Sequence, residues 1–216
     1  CIRCGILLPV ADYLEGCPAC LDQNRPASLA VEYREFPASL DQLADWQVYS
    51  DHVTLGEGNT PLVSLEDLAS ETGIGSLHLK NEGANPTGSH KDRMSRFVVQ
   101  RALEAGAPTV AAASSGNAGV SLAAYAAKAG LGCVVVTTSE MNPNWRRAIE
   151  MHGATLLATE TPERRWQVLA DRVRVGDWYP ATNFSVPPVG SNPFGVDGYR
   201  SIAFEIFHEL GTSACT

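Results

Sequence analysis

From residue 76 to residue 210 the chain alternates short apolar runs with helix-length amphipathic stretches, and this alternation restricts the fold more than any other feature. Strands are predicted at 76–80, 109–113, 132–137, 155–158 and 178–181, and helices at 91–105, 117–129, 144–152, 162–175 and 197–210. Strands separated by helices build βαβ units around a parallel sheet. The runs at 110–113 and 133–136 are apolar without interruption, as suits strands covered on both faces. In the helix at 91–105, Met94, Phe97, Val98, Arg101 or Ala102, and Ala105 approach the i, i+3, i+4, i+7 spacing of a buried stripe, and Gly106 ends it. Before residue 60 the periodicity is poor. A short strand is predicted at 29–33, a serine-capped helical turn at 39–46 and a bend at Gly56-Glu-Gly-Asn-Thr-Pro61, followed by a helix at 64–72 with Ser64 and Asp67 in capping-box spacing.

Two runs carry the chemistry. Asn85-Pro-Thr-Gly-Ser-His-Lys-Asp-Arg93 sets Lys91 at a helix mouth, where the helix dipole disfavours an ammonium ion and favours the free amine. Ser114-Ser-Gly-Asn-Ala-Gly119 is a small-residue turn between a strand and a helix, and its backbone N–H groups at a positive helix end make a seat for a carboxylate or phosphate. Alone, that turn reads equally well as an ordinary serine-capped connection. Only three lysines exist, however: Lys80 closes a strand beside Glu82 and Lys128 precedes the helix-ending Gly130, so both read as surface or paired residues. An amine beside an anion cradle suits pyridoxal phosphate chemistry on an amino acid.

Cys1-Ile-Arg-Cys4 and Cys17-Pro-Ala-Cys20 have zinc-ribbon spacing, and four thiolates would close a tetrahedral Zn²⁺ site of structural type. Reduced thiols in a metal-free loop, or a pair of disulfides in a secreted protein, are the other readings. Cys133 reads as a buried strand residue. A net charge of −8 argues against a nucleic-acid partner, and no apolar run reaches the roughly 18 residues of a membrane span. The N-terminus lacks the layout of a secretory signal, so the expected compartment is the cytoplasm.

Leu55-Gly-Glu-Gly-Asn-Thr-Pro-Leu62, the Lys91 run and the Ser114 turn together resemble, in order and spacing, the threonine synthase branch of the fold type II (tryptophan-synthase-β-like) pyridoxal phosphate enzymes, in their N-terminal portion. The resemblance implies an α/β fold with a zinc-ribbon-like knuckle at 1–25, the first elements of the large domain at 26–89, a small substrate-gripping α/β domain at 90–188, and a return to the large domain at 189–216. It implies that Lys91 holds pyridoxal 5'-phosphate through a Schiff base and moves protons on substrate carbons. Asn117 would hydrogen-bond the cofactor's phenolic oxygen, while Ser114, Ser115, Gly116 and Asn117 grip the substrate carboxylate; Cys1, Cys4, Cys17 and Cys20 would hold zinc. The implied reaction turns O-phosphohomoserine into threonine and phosphate, in an enzyme that is a homodimer at full length.

Some residues depart from that pattern. His90 stands where the branch has phenylalanine, and Tyr199, Arg200 and Ser201 replace a Gln-Lys-Thr stretch, which leaves a related ammonia-lyase or β-replacement synthase open. The family's second glycine-rich loop, which holds the cofactor phosphate, finds no match after Leu210, so the expectation is a fragment with an incomplete large domain, or a non-catalytic binding remnant of the fold. A hydrolase triad lacks its Gly-x-Ser-x-Gly elbow and a dinucleotide fold lacks G-x-G-x-x-G. His52, His78, His152 and His208 show no metal-ligand spacing.

Overall fold

The computed structural model describes residues 1–35, 37, 39, 42 and 53–211, and within them the apolar runs become a four-stranded parallel sheet. In chain order the elements are α1 (Pro18–Leu21), β1 (Leu62–Ser64), α2 (Glu66–Thr72), β2 (His78–Lys80), α3 (Lys91–Glu104), β3 (Thr109–Ala113), α4 (Asn117–Ala129), β4 (Gly132–Thr138), α5 (Pro143–Glu150), β5 (Thr155–Thr159), α6 (Pro162–Arg174), β6 (Tyr179–Pro180), α7 (Pro193–Gly198) and α8 (Arg200–Leu210). The sheet order is β5-β4-β3-β6, while β1 and β2 form a separate antiparallel pair.

Successive residues of the central strands serve opposite layers. Val110 and Ala112 of β3 pack with Val98 and Ala102 of α3 and Leu122 and Tyr125 of α4, whereas Ala111 packs with Leu169, Ala170 and Val173 of α6. That is why these strands are apolar throughout. The α3 stripe is buried at Met94, Phe97, Val98 and Ala102 but stops there, because Ala105 lies past the end of the helix and is exposed. Cys133 is buried in β4, where desolvation pushes its thiol up to about 12. Among the described residues no helix is long and apolar enough to cross a membrane.

Other expectations change. Residues 29–33 form no strand; the Val31 carbonyl accepts from the Arg200 guanidinium at 2.8 Å, and the Tyr33 hydroxyl donates to Asp197. Ser64 belongs to β1 rather than to a cap, and α2 starts behind Leu65 with no side-chain cap bond. The single closing helix is two helices. Asn192 caps Pro193 at the true start, accepting from the N–H groups of Phe194 and Gly195, and the helix is interrupted at Tyr199. Lys80 does not pair with Glu82; its Nζ meets Glu205 at 3.0 Å and Glu209 at 2.5 Å. The helical turn expected at 39–46 falls largely outside the described residues, as do His52 and Cys215.

Candidate active site

Most polar residues of the Lys91 run rigidify the loop that carries the lysine. Asn85 is buried and its Oδ1 accepts from the Gly58 N–H at 2.9 Å, while its amide donates to Glu82. Gly88 adopts a left-handed φ of +81° to close the turn back to Asn85, a conformation that favours glycine. The Asp92 carboxylate, fully buried, accepts from the Thr87 N–H at 2.7 Å and from the Thr87 hydroxyl. The Lys91 N–H donates to the Ser89 hydroxyl at 3.3 Å. Lys91 thus enters α3 from a braced loop.

The Lys91 side chain is half-buried, and its Nζ donates to the Tyr199 hydroxyl at 2.8 Å. Burial disfavours the ammonium ion and lowers the lysine from its ordinary range. The direction agrees with the sequence argument; the cause is desolvation. Burial likewise raises the Tyr199 phenol. The His90 ring lies 5.3 Å from the Tyr199 ring, tilted by 46°, and burial together with the Lys91 charge holds its imidazole below the usual range. Sequence reasoning noted Tyr199 only as a departure from a family stretch, and nothing local announced that it meets Lys91.

At the tip of β3 the Ser114 side chain turns inward, accepting from the N–H groups of Gly116 at 3.3 Å and Gly119 at 3.1 Å. Ser115 is exposed, and the N–H groups of Asn117 and Ala118 open α4 without an acceptor among the described residues. Short connections on either side of β3 reverse the chain twice, so α3 and α4 run parallel. Ser95, one turn past Lys91, accepts at 2.7 Å from Ser121, one turn past Asn117. The first turns of the two helices are therefore level, with the lysine and the Ser114–Gly119 turn at the same end of the sheet. Trp145 of α5 stands beside Gly116, 4.0 Å from where a side chain there would begin.

Behind the lysine lies a buried ion network. The Arg93 guanidinium, 2% exposed, pairs with Glu205 at 2.6 Å and Glu82 at 2.7 Å and donates to Ser201 at 2.9 Å. The Gly56–Pro61 bend is stitched in through the Asn59 N–H to Glu205 at 2.9 Å and the Thr60 hydroxyl to Glu82 at 2.7 Å. Nearby, Glu57 joins α3 to α4 through Arg96 and the Tyr125 hydroxyl. Burial alone would raise the Glu205 carboxyl, but hydrogen bonds from Arg93, Asn59 and Lys80 outweigh it and lower it from 4.5 to about 2. The stability it contributes is therefore full above about 4.5 and is lost as pH falls toward about 2. Urea titrations at neutral pH and at about pH 3 should show this loss, with a shallower pH dependence in Glu205→Gln.

The four N-terminal cysteines converge. Their sulfurs lie within 4.8 Å of one another, with Cys1–Cys20 and Cys4–Cys17 each 3.8 Å apart, and all five described cysteines are unbridged. A tetrahedron with zinc–sulfur bonds of about 2.3 Å has edges of about 3.8 Å, so the thiols fit that metal. The Ile6 N–H lowers the Cys4 thiol, and the Arg3 N–H donates to Cys1 at 3.4 Å. The arm that follows is fastened to the sheet domain: Asp12 accepts from Arg101 at 2.8 and 2.9 Å and from the Tyr179 hydroxyl at 2.6 Å.

Comparison with known proteins matches residues 53–215 to the profile of a family described as pyridoxal-phosphate dependent enzyme. The threonine synthase of Halalkalibacterium halodurans is 37% identical over 185 residues, covering 85% of this chain and 48% of that protein. That of Methanosarcina acetivorans is 32% identical over 222 aligned positions, covering 97% and 53%. Among solved structures, O-ureido-L-serine synthase aligns with a TM-score of 0.60 at 28% identity, over 71% of this chain and 49% of that one. The apo form of Escherichia coli diaminopropionate ammonia lyase aligns at 0.63 and 19% identity, over 74% and 51%, a likeness of fold. The chain spans about half the length of the relatives it matches.

Proposed function

The chain belongs to the pyridoxal-phosphate dependent enzyme family, with the α/β fold of its type II members, and on that premise we propose that its residues supply the lysine and the carboxylate grip of a threonine synthase-like active site acting on O-phosphohomoserine. The observation that carries this reading is the level placement of a half-buried amine, Lys91, and the open N-terminus of α4. These groups suit an aldehyde cofactor and an anionic amino acid: burial favours the neutral amine, and helix N–H groups favour a carboxylate. When bound, pyridoxal phosphate supplies an electron sink conjugated with the substrate's amino group. Lys91 would hold the cofactor through its amine and, when that amine is free, would carry protons to and from the substrate carbons. Asn117 donates to the ring oxygen. Ser115, Gly116 and Asn117 grip the α-carboxylate, and Ser114 contributes by holding the shape of the turn. In this reading residues 90–188 are the substrate-gripping domain.

Incubation with pyridoxal phosphate followed by borohydride and peptide mapping tests the lysine. Label is expected at Lys91 in preference to Lys80 and Lys128, and its absence there would sink the assignment; Lys91→Ala should abolish it. Release of phosphate from O-phosphohomoserine tests the substrate. A related ammonia-lyase or β-replacement synthase is the second reading, left open by Tyr199, Arg200 and Ser201 standing where the resemblance has Gln-Lys-Thr.

We also propose that Cys1, Cys4, Cys17 and Cys20 hold a structural Zn²⁺. Metal analysis of reduced protein should find about one zinc per chain, and chelation should expose the backbone of residues 1–35 to hydrogen exchange first. A metal-free preparation with unchanged exchange there would refute the metal.

A further inference from the structure

The Tyr199 hydroxyl is the group that meets the Lys91 nitrogen, and the fold holds it there from both sides. Before it, Gly198 presses on the α3 backbone so closely that an added Cβ would lie 2.1 Å from the Arg93 carbonyl oxygen. After it, the Ser201 hydroxyl accepts from the Arg93 guanidinium at 2.9 Å. The phenol is thereby fixed to the same helix turn that carries the lysine. Its ring lies 5.0 Å from Nζ, and the His90 ring packs on it.

We propose that Tyr199 is a positioning residue for Lys91, accepting a hydrogen bond from the ammonium form and donating one to the lone pair of the neutral amine, so that the nitrogen keeps one place in both states. This rests on Lys91 being the cofactor-bonding lysine. An ammonium has three donors and no acceptor, while a neutral amine can accept; a hydroxyl can serve both. The phenol keeps its proton through the working range, because burial raises it. Of the titratable groups around the pair, His90 feels the charges of Lys91 and Glu82, Asp92 and Arg93 are held in their own bonds to Thr87 and to Glu82 and Glu205, and desolvation lowers Lys91 and raises Tyr199. The group positioned is the one that reacts. In the step it serves, the lysine nitrogen bonds the aldehyde carbon and the aldehyde oxygen leaves as water.

The test is the pH dependence of reductive capture, in which borohydride delivers hydride to the carbon–nitrogen double bond and fixes the label on Lys91. Tyr199→Phe keeps the ring and its contacts and removes only the oxygen; circular dichroism checks the fold. The ammonium then loses a charge-assisted bond and the neutral amine only a weaker neutral one, so the capture midpoint should fall, by at most about one pH unit, and the unheld amine should react severalfold more slowly at the plateau. An unchanged midpoint and rate, with Lys91 still the labelled residue, overturns the proposal. A cofactor-free measurement decides the pairing separately: with ¹³Cζ-tyrosine, the Tyr199 resonance should titrate with Lys91 and lose that inflection in Lys91→Met. A Tyr199 resonance indifferent to Lys91 overturns the proposal even where Lys91 is captured. Capture spread evenly over Lys80, Lys91 and Lys128, with the NMR inflection present, sinks the cofactor reading and upholds the pairing.

Discussion

Replacing Arg93 with alanine should cost on the order of 3–5 kcal/mol of folding stability, the range for breaking a buried ion network from one side. The guanidinium faces two carboxylates, Glu205 and Glu82, and reaches both oxygens of each. Without it the Glu205 side chain, 5% exposed, keeps Lys80 and the Asn59 N–H, too few donors to replace a bidentate partner. Glu82 retains the Thr60 hydroxyl and the Asn85 amide. Arg93→Lys should recover little, since one ammonium cannot span two carboxylates in fork geometry. Urea unfolding measures the loss, and a double-mutant cycle with Glu205→Gln assigns the share of the pair. A loss below about 1 kcal/mol would show the network to be dispensable, as exposed pairs are.

Gly198→Ala should destabilise by about 3 kcal/mol, at the upper end of ordinary overpacking. The obstruction is backbone: the new methyl would sit 2.1 Å from the Arg93 oxygen and 2.9 Å from its carbonyl carbon, and neither can rotate away. Helix α7 must therefore lift from α3, carrying Tyr199 off Lys91. The variant should combine a lower melting temperature with the capture profile of Tyr199→Phe. Gly195→Ala, one turn earlier, meets the Val98 and Met94 side chains at 2.5 and 2.9 Å but the backbone only at 3.4 Å, so it should cost less, though these buried side chains must shift. Equal effects of the two substitutions would refute the backbone-contact account.

The sheet was legible because its signal is local and one-dimensional. The strand predicted at 109–113 and the helix at 117–129 match β3 and α4 end to end, since an uninterrupted apolar run and a run of small residues each mean nearly one thing. Errors gathered where tertiary partners decide. Leu29 to Tyr33 has strand-like composition, but its carbonyl and phenol find Arg200 and Asp197 instead of a neighbouring strand. Lys80 stands near Glu82 in sequence, yet Glu82 is occupied by Arg93. The start of α7 could have been read from Asn192-Pro193, a cap followed by proline, had the apolar pattern after it not dominated. The candidate lysine was visible from its motif and its scarcity. Tyr199, 108 residues further along, was not, because no spacing rule connects a hydroxyl to an amine across that distance.

The grip of Asp12 on Arg101 and Tyr179 has a mechanical consequence. Arg101 lies near the end of α3 opposite Lys91, about 15 Å along the helix axis. The sulfur-bearing arm is thus moored at the stern of a rod whose bow carries the amine. Through this mooring, strain or oxidation in that arm would reach the amine by shifting the whole rod, and the Ser95–Ser121 pin resists such a shift.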